Sequence, residues 1–293
     1  MKLLILGGTG FIGKNLKEAF SEKTNYSILA PTRQELNLYN GQDCRDYLKV
    51  NKPDYVIHAA VDITSAENSL VSFFNIYNNS NFFGYLLQIG SGAEYDRREY
   101  KPKMKESYFG KSVPVDTYGL AKFMIARVLE DSDSRKFKNL RVFGIYGKYE
   151  DYPRRFISNN ICRALSGLKI LINKDMMFDF VSVNDLSNLL INHFDTLYTF
   201  DKVSYNFCSK EPKYLSDIAR ILCHELNHDD FVIKDSSGLN PEYSGDPSEI
   251  LSLLQDFDYI DLEQGIGELI NYYQLLFRDK AIQSEFALSE QNK

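Results

Sequence analysis

The sequence predicts an α/β fold, a doubly wound parallel sheet followed by a smaller mixed α/β lobe. Over roughly the first 150 residues, short apolar runs alternate with longer amphipathic segments, which is typical of βαβ units whose helices cover both faces of a sheet. A glycine-rich turn follows the first apolar run directly, as expected where a strand meets a helix in such a unit. From about Tyr152 the alternation weakens, and Pro and Gly separate shorter elements. This change indicates a second lobe.

The apolar runs predict strands at Lys2–Leu6, Tyr26–Ala30, Tyr55–Ala59, Tyr85–Ile89 and Leu140–Phe143. The amphipathic segments between them predict helices at Lys14–Ser21, Cys44–Asn51, Ala66–Asn79 and Thr117–Glu130. Right-handed crossovers then make the sheet doubly wound. A later run, Phe178–Val183, is predicted to return to the main sheet as a strand. The predicted domains are residues 1–152 with about 177–200, and a lobe formed by 153–176 and about 201–293.

The composition indicates a globular protein. Hydrophobic residues make up 44% and charged residues 25% of the 293 residues, close to the averages for globular domains. The formal net charge of -6 argues against nucleic acid as a partner, because phosphate-backbone binding requires a dominant basic surface. It does not exclude a small anionic ligand in a locally basic pocket.

The cysteines favour a reducing compartment. They are far apart and include no CxxC pair, at Cys44, Cys162, Cys208 and Cys223. They therefore predict neither a disulfide framework nor a thiolate metal site, and we expect no metal. No apolar run approaches the roughly 20 residues that span a bilayer, so we expect a cytoplasmic protein without a membrane segment.

The glycine turn between the first strand and the first helix is predicted to hold a dinucleotide. Glycine serves here for a tight turn, for close backbone approach to a pyrophosphate and for close packing of helix on strand. The helix N-terminus then favours the anion. The predicted cofactor contacts in this turn are Gly7, Gly10, Phe11, Ile12 and Gly13. A tight turn without a ligand is the alternative. A nucleotide triphosphatase loop is rejected, because Asn15 stands where a Ser or Thr hydroxyl would bind Mg²⁺.

The residues after the second strand favour NADP. NAD sites place an Asp or Glu there for the ribose 2′-hydroxyl, whereas NADP sites use Arg or small polar groups for the 2′-phosphate. No acid follows the strand directly, and Thr32 and Arg33 are placed to contact a phosphate. Glu35 keeps NAD open as the alternative, because a shift of one turn would bring its carboxylate to the ribose.

Tyr118 and Lys122 are candidate catalytic residues. Their spacing of four residues puts both side chains on one face of a helix. A neighbouring cation favours the phenolate form of a tyrosine, which makes proton exchange with an alcohol or ketone practicable. The bare pattern is common and mostly structural, so its meaning depends on the surrounding motifs.

Several motifs together resemble the extended short-chain dehydrogenase/reductases that act on nucleotide sugars. The resemblance rests on the glycine turn, the Tyr118/Lys122 pair and the segment Gly90–Tyr95. It extends in the family's order from Met1 to about Leu226, through His58–Ala60, Leu140–Gly147, Phe178–Asp185 and Tyr205–Ser209.

The resemblance implies a Rossmann-type fold and assigns roles to individual residues. Tyr118 would be the catalytic acid and base, Lys122 would tune it and hold the nicotinamide ribose, and Ser91 would hydrogen-bond the reacting oxygen. Further implied cofactor contacts are Asn37, Leu38, Ala59 and Ala60. Relatives dimerise by packing two helices per subunit, which implies a homodimer through Ala66–Asn79 and Thr117–Glu130.

Departures from the family's motifs narrow the implied chemistry. The family's 4,6-dehydratases carry Asp-Glu where this chain has Gly92 and Ala93, which cannot transfer a proton. Glu94 is one place late and, on a strand, should face the other way. The family's GDP-fucose synthases use a Cys and a His to epimerise, and these positions are expected to align with Ala93 and Asn160.

The remaining chemistry is reduction of a carbonyl. The main hypothesis is therefore an NADPH-dependent C4-reductase of a 4-keto nucleoside-diphosphate sugar, whose sugar is a 6-deoxyhexose, a dideoxy sugar or a heptose. An NAD-dependent nucleotide-sugar 4-epimerase is the main alternative, because 4-epimerases share the same catalytic residues. A non-catalytic NADP-binding regulator is less favoured, because such proteins typically lose the tyrosine or the lysine.

The start of the second lobe is predicted to bind the substrate's diphosphate. It is basic, and the forked guanidinium suits phosphate; a solvated basic face is the alternative. The predicted substrate contacts are Ser91, Gly92, Ala93, Tyr118, Arg154, Arg155, Asn160 and Arg163. The similarity of Thr32–Leu38 to GDP-fucose synthases favours GDP as the nucleotide, with CDP next.

Two histidine features are predicted to lie outside the site. His224–His228 fits the HExxH pattern of zinc proteases, with both imidazoles on one helical face. The pattern lies near the end of an amphipathic helix and has no third ligand at a familiar spacing, so zinc is not favoured. His58 lies on an apolar strand and is interpreted as structural or near the adenosine.

Overall fold

The structure is a computed structural model that describes residues 1–132, 134–254 and 256–282. The predicted lobe boundary at residue 293 lies outside the described residues. In chain order the first part contains β1 (Lys2–Leu6), α1 (Phe11–Lys23), β2 (Ser27–Leu29), α2 (Gly41–Asn51), β3 (Tyr55–His58), α3 (Ala66–Tyr77), β4 (Tyr85–Ile89), α4 (Thr117–Glu130), β5 (Phe137–Val142) and β6 (Gly144–Tyr146). It continues with α5 (Phe156–Leu165), β7 (Ile170–Lys174), β8 (Met177–Phe178), β9 (Phe180–Ser182), α6 (Val183–Leu197), β10 (Ser204–Phe207), β11 (Lys213–Tyr214), α7 (Leu215–Glu225), β12 (Phe231–Asp235), α8 (Ser248–Leu253) and α9 (Leu262–Arg278). Four 3₁₀ turns lie at Ser80–Phe82, Gly92–Glu94, Arg97–Glu99 and Glu106–Tyr108.

Six parallel strands form the central sheet in the order β2-β1-β3-β4-β5-β10. The order reverses at β1, so the chain leaves β1 and β3 in opposite directions. A crevice therefore opens between the carboxyl ends of these two strands, which is where open α/β sheets bind ligands. The predicted doubly wound parallel sheet is confirmed.

The sheet is buried on both faces, which explains the unbroken apolar run of β1. Leu3 and Ile5 pack with Leu16 and Phe20 of α1, in a cluster that also includes α6. Leu4 and Leu6 face the other way, into a cluster with α2, α3 and α4. Because side chains alternate along a strand, a strand covered by helices on both faces must be apolar at every position.

The second lobe has its own core. Ile157 and Ile161 of α5 pack with Ile218 and Leu222 of α7 and with Leu269 of α9. Strands β7 and β12 pair in parallel beneath these helices. No helix in the described part of the chain is long and apolar enough to cross a membrane.

The sixth strand of the sheet is not the one predicted. Phe178–Val183 does not return to the main sheet, because β9 pairs with β6 in a separate two-stranded sheet. The edge position belongs to β10, which pairs with β5 although its residues were expected in the lobe. The packing explains the difference: Tyr205 and Phe207 are buried in the core of the sheet, whereas Phe178 and Phe180 pack against the core of the lobe.

Candidate active site

A cavity of about 1100 Å³ follows the carboxyl ends of β1 to β5 and continues between the sheet and the second lobe. Most of the predicted site residues line it. They are Gly7, Gly10, Phe11, Ile12, Arg33, Asn37, Leu38, Ala59, Ala60, Ser91, Ala93, Tyr118, Lys122, Arg154 and Arg155. The fold therefore brings together residues from both parts of the chain at one cavity.

The glycine turn has the shape of a pyrophosphate cradle. Gly7 has a φ of 83°, and a Cβ placed on it would lie 2.8 Å from the backbone N of Ala60. A Cβ on Gly13 would lie 2.2 Å from the carbonyl oxygen of Gly7, so this glycine sits beneath the turn and lets α1 approach β1. Gly10 precedes α1 without a side-chain cap, and the first helical turn has no acidic residue. The backbone N–H groups of this first turn are therefore available to bind an anion.

Asn15 has a structural role in this region. Its side-chain amide donates to the carbonyl oxygens of Phe11 at 2.9 Å and Lys148 at 2.7 Å. It therefore connects α1 to the segment after β6, and it does not carry the hydroxyl that a triphosphatase loop requires.

The end of β2 presents a cation to the cavity, and its nearby acid is engaged elsewhere. Arg33 is exposed, lines the cavity and lies with its guanidinium carbon 5.0 Å from the ring centre of Tyr39. Glu35 accepts a hydrogen bond from the backbone N–H of Thr32 at 2.7 Å. Hydrogen bonds from Thr32 hold the pKa of Glu35 below its ordinary value. Neither Thr32 nor Glu35 is among the residues that line the cavity.

Tyr118 and Lys122 lie on the first two turns of α4, which Asp116 caps by accepting from the Gly119 N–H at 2.8 Å. Both line the cavity. Lys122 is only 4% exposed, and its ammonium donates to the Ile89 carbonyl oxygen at 2.6 Å and lies 5.9 Å from the centre of the Tyr118 ring. The end of β4 thus anchors the lysine beside the tyrosine.

Ser91 lies two residues after the end of β4 and caps the 3₁₀ turn Gly92–Glu94. Its hydroxyl oxygen accepts from the Ala93 N–H at 3.1 Å, and its own N–H donates to the Glu94 carboxylate at 3.0 Å. Glu94 faces away from the cavity as expected, but it lies in this turn and not on a strand. Burial raises the pKa of the Glu94 carboxyl, and the Arg141 guanidinium opposes that shift.

His58 is a core residue that lies close enough to Lys122 to be affected by its charge. Its side chain is fully buried and is not among the residues that line the cavity. Burial, helped by the charge of Lys122, lowers the pKa of the imidazole to about 3. The ring is therefore neutral at physiological pH.

Of the four substrate contacts predicted in the second lobe, two line the cavity and two do not. Arg154 and Arg155 line the cavity at the start of α5. Asn160 does not, because its side chain is buried in the lobe, where its amide bonds the backbone of Leu171 at 2.7 and 3.1 Å. Arg163 also lies outside the cavity lining and donates to the Lys169 carbonyl oxygen at 2.7 Å.

Gly92 lies behind the cavity wall. It is not a lining residue, and its carbonyl oxygen accepts a hydrogen bond from the hydroxyl of Tyr100. Ala93, next to it, does line the cavity. Of these two predicted substrate contacts, only Ala93 therefore faces the cavity.

Sequence reasoning missed part of the cavity wall near Ser91. Tyr243 reaches it because its backbone bonds Met177 at 3.0 Å and Asp179 at 2.9 Å, which holds a distant loop against β8. Its ring lies 5.2 Å from that of Tyr100. Other unpredicted lining residues are Arg97, Phe143, Glu150, Phe178, Phe180 and Glu242. No local motif marks these positions, since contacts between remote segments bring them together.

The described cavity wall contains two carboxyl groups, Glu150 and Glu242, and neither a cysteine nor a histidine. Glu150 is buried and accepts a hydrogen bond from the hydroxyl of Ser158. Burial raises its pKa to about 7. The wall therefore lacks the Cys–His acid and base of a 3,5-epimerase.

The HExxH pattern does not form a metal site. Helix α7 ends at Glu225, and Asn227 adopts a positive φ of 50°. His228 consequently lies beyond the helix, with its Nε2 3.1 Å from the Leu168 carbonyl oxygen. The expectation that both imidazoles share a helical face is wrong. Among the described residues, no group of three or more His, Cys, Asp or Glu side chains could hold a metal ion.

Comparison with known proteins relates the whole chain to enzymes of GDP-sugars. It is 24% identical over 295 residues to the GDP-6-deoxy-D-talose 4-dehydrogenase of Aggregatibacter actinomycetemcomitans, with coverage of 92% of this chain and 97% of the relative. The fold matches an NADP-bound GDP-L-fucose synthetase from Naegleria fowleri at a TM-score of 0.81, with 16% identity over 94% of this chain and 95% of the other. It also matches the NADP-bound GDP-mannoheptose C4 reductase MlghC from Campylobacter jejuni at a TM-score of 0.79, with 22% identity and coverage of 93% and 98%.

The family assignment rests on the sequence itself. The profile of the NAD dependent epimerase/dehydratase family matches residues 3–202, which is more than half of the chain. The match includes the glycine turn, Ser91 and the Tyr118/Lys122 pair. It confirms the predicted family resemblance and the expectation of an NAD(P)-dependent enzyme. This chain therefore belongs to the NAD dependent epimerase/dehydratase family.

Proposed function

We propose that the protein is an NADPH-dependent reductase of the C4 carbonyl of a 4-keto GDP-sugar. The observation that carries the proposal is that Ser91 and the Tyr118/Lys122 pair line the same cavity as the glycine turn and Arg33. A hydroxyl, a proton donor and a cofactor cradle thus meet at one place. Tight binding of NAD, favoured by the family name, remains the alternative for the cofactor.

NADP is supported by the charges at the end of β2. Arg33 lines the cavity, whereas the carboxylate of Glu35 is engaged by Thr32. An exposed guanidinium pairs with a 2′-phosphate, and a carboxylate at the same place would repel it. Two of the structures with the same fold are bound to NADP. The cradle residues would hold the pyrophosphate, and the bound cofactor would supply the hydride.

The chain's own side chains would hold the reacting oxygen and supply its proton. Ser91 would donate a hydrogen bond to the C4 oxygen, and Tyr118 would give its proton to that oxygen as it becomes an alcohol. Lys122, anchored on Ile89, would stabilise the phenolate that remains. Ala93, which lines the cavity beside this turn, has no group that could carry a second proton.

We infer reduction without epimerisation or dehydration from the residues at positions 92 and 93 and from the absence of a Cys–His pair in the described wall, which does hold the carboxyl groups of Glu150 and Glu242. Gly92 and Ala93 cannot remove or donate a proton, and the described cavity wall has no Cys or His. The amide of Asn160 is committed to the backbone of Leu171. The proposed reaction therefore changes the oxidation state at C4 and leaves the neighbouring carbons unchanged.

GDP is the proposed nucleotide, with CDP next. The three relatives described above all act on GDP-sugars by name. Arg154, which also pairs with Asp151 at 3.1 Å, and Arg155 line the cavity at the start of the lobe and would pair with the diphosphate. The sugar is proposed to be a 6-deoxyhexose, a dideoxy sugar or a heptose, and the reaction is proposed to serve polysaccharide precursor synthesis.

We also propose an oligomeric state and a cellular location for the protein. We propose a cytoplasmic homodimer formed through α3 and α4, which pack side by side. Exposed Val71 on α3 and Met124 on α4 support this, because apolar side chains exposed on two adjacent helices are typical of an interface. The cofactor would be bound by the sheet domain and the sugar nucleotide by the second lobe.

Isotope transfer tests the proposed reaction. The protein would be incubated with NADPH deuterated at the transferable position and with a GDP-4-keto-6-deoxyhexose or a GDP-4-keto-heptose. The expected product carries deuterium at C4 only, and the same reaction in deuterated water adds no label at C3 or C5. Label from solvent at C3 or C5 would overturn reduction without epimerisation.

The alternative functions give different outcomes in the same system. Purification with bound NAD, followed by interconversion of C4 epimers without added cofactor, would indicate a 4-epimerase. Binding of NADPH without turnover of any 4-keto nucleotide sugar would indicate a regulatory protein. Either result would overturn the proposed reductase.

A further inference from the structure

We propose that Glu94 is a positioning residue that holds the Ser91 hydroxyl in place for catalysis, through a buried charge network that also anchors the catalytic helix. The network consists of Glu94, Arg141 and Glu130, and we call it the Arg141 network. Its kinetic consequence rests on the proposed function, whereas its effect on the Ser91 turn does not. Neither the family resemblance nor the catalytic motif assigns a role to these residues.

The first step is the direct link between Glu94 and Ser91. The two residues cap each other: the Ser91 N–H donates to the Glu94 carboxylate at 3.0 Å, and the Glu94 N–H donates to the Ser91 carbonyl oxygen at 3.0 Å. Glu94 is 1% exposed, so water does not compete for these bonds. The backbone position from which the Ser91 side chain projects therefore depends on the Glu94 carboxylate.

The second step is the link to α4. Arg141 of β5 is 1% exposed, and it donates to Glu94 at 2.6 Å through Nε and to Glu130 at 2.6 Å through Nη2. Glu130 is the last residue of α4, the helix that carries Tyr118 and Lys122. One guanidinium thus ties the Ser91 turn and the tyrosine helix to the same strand. The ring of Phe109 covers the Arg141 guanidinium, and its centre lies 4.1 Å from the guanidinium carbon.

The third step is the need for a charge at position 94. The carboxylate accepts from Ser91, from Arg141 and from the side-chain amide of Asn139 at 3.0 Å. The Ser91 N–H and the Arg141 Nε–H can only donate, and they bond different oxygens of the carboxylate, so both oxygens must accept. A glutamine of the same shape would turn an NH₂ group toward one of these two donors. A buried ion pair contributes little net stability, because desolvation offsets the attraction, so what this network supplies is geometry.

The test is a double-mutant cycle between Glu94 and Ser91. Glu94→Gln is made in the wild-type chain and in Ser91→Ala, and kcat for the 4-keto GDP-sugar is measured in all four proteins. Asp185→Asn is the matched control, because Asp185 is also a buried carboxylate that caps a serine, Ser182, but on α6. It lies outside the main cavity wall.

A positioning role predicts a loss that depends on Ser91. Ser91→Ala is expected to lower kcat by about 10²-fold, as loss of an oriented hydrogen-bond donor does. Glu94→Gln is expected to lower kcat by about 10-fold or more in the wild-type chain, and by less than about 2-fold in Ser91→Ala, since coupled residues are not additive. Asp185→Asn is expected to have the same effect in both backgrounds. Equal losses from Glu94→Gln in both backgrounds, or no loss, would overturn the inference.

A second measurement needs no substrate. Amide hydrogen exchange of the segment 89–96 is expected to rise at least about 10-fold in Glu94→Gln and to stay unchanged in Asp185→Asn. If Glu94→Gln does not fold, Glu94→Asp takes its place, because it keeps the charge but shortens the reach to Arg141. Unchanged exchange in a folded Glu94 variant would overturn the inference. Failure of the wild-type chain to reduce any 4-keto GDP-sugar would overturn the proposed function instead, and exchange would then decide the positioning role.

Discussion

Replacing Arg33 with alanine tests how the protein distinguishes NADPH from NADH. Arg33 is exposed at the end of the cavity that follows β2, beside the ring of Tyr39. If its guanidinium pairs with the 2′-phosphate, Arg33→Ala should weaken NADPH binding and leave NADH binding unchanged. The substitution removes no buried contact, so we expect the free energy of unfolding to change by less than about 0.5 kcal/mol.

The size of the effect follows from the exposure of the side chain. Two unit charges 4 Å apart in water attract each other by about 1 kcal/mol, so a phosphate of charge about -2 gains about 2 kcal/mol from one guanidinium. A hydrogen bond to a charged group has a similar value, about 1.5–3 kcal/mol. We therefore expect the Kd of NADPH to rise about 30-fold in Arg33→Ala. The effect should shrink as salt is added, because exposed charges are screened.

Fluorescence titration with NADPH and with NADH measures both dissociation constants. Arg45→Ala is the matched control, because Arg45 is an exposed arginine on α2 outside the cavity wall, and its loss changes the net charge equally. The control should bind NADPH like the wild-type protein. A rise of less than about 3-fold for NADPH in Arg33→Ala, or an equal rise for NADH, would refute the pairing of Arg33 with the 2′-phosphate.

Three further predictions address catalysis, pH and the glycine turn. Tyr118→Phe removes only the phenolic hydroxyl and should lower kcat by about 10²-fold or more with unchanged NADPH affinity; retention of more than a tenth of the turnover would exclude Tyr118 as the proton donor. Burial raises the pKa of Glu150 from 4.5 to about 7, so the folded state holds this proton more tightly and loses stability as pH rises from about 4.5 to 7. Glu150→Gln should abolish roughly 3 kcal/mol of that decline, and urea unfolding curves whose pH dependence is identical in variant and wild type would contradict the assignment. Gly13→Ala places a methyl group 2.2 Å from the Gly7 carbonyl oxygen and should lower the melting temperature and abolish cofactor binding, whereas Gly267→Ala on α9 meets no atom within 4 Å and should stabilise the helix by about 1 kcal/mol. Cofactor binding by Gly13→Ala with wild-type affinity would show that the close approach of α1 to β1 is not required.

Local patterns in the sequence were sufficient for the elements that build the cofactor side. Strands β1 and β4 and helix α4 begin and end at the predicted residues, because their apolar periodicity stops at glycine turns or capping residues. The glycine turn, Arg33 and the Tyr118/Lys122 pair could also be recognised, since each is a short motif whose chemistry depends on neighbours in the chain. The cavity then contains these residues because parallel strands place their carboxyl ends at one edge of the sheet.

Features that depend on contacts between remote segments could not be derived in this way. Phe178–Val183 and Ser204–Phe207 are both short runs that contain aromatic residues, and only the packing of their side chains decided which one joins the sheet. Asn160 lies on the helix that Arg155 precedes, but its side chain is buried and bonded to the backbone of Leu171 in the lobe. In the same way Tyr243 enters the cavity wall through backbone bonds to Met177 and Asp179.

Glu94 shows most clearly the difference between what the sequence determines and what only the tertiary structure decides. The sequence by itself determined the fold class and the family, and it predicted the glycine turn as a cofactor cradle and Tyr118/Lys122 as a catalytic pair, because each of these motifs is short and local. The prediction that Glu94 faces away from the cavity assumed a strand, whereas the residue lies in a 3₁₀ turn. Only the tertiary structure brought Arg141 and Glu130 to that carboxylate. Buried charges are satisfied by partners that are close in space, and their distance along the chain carries no information about that proximity.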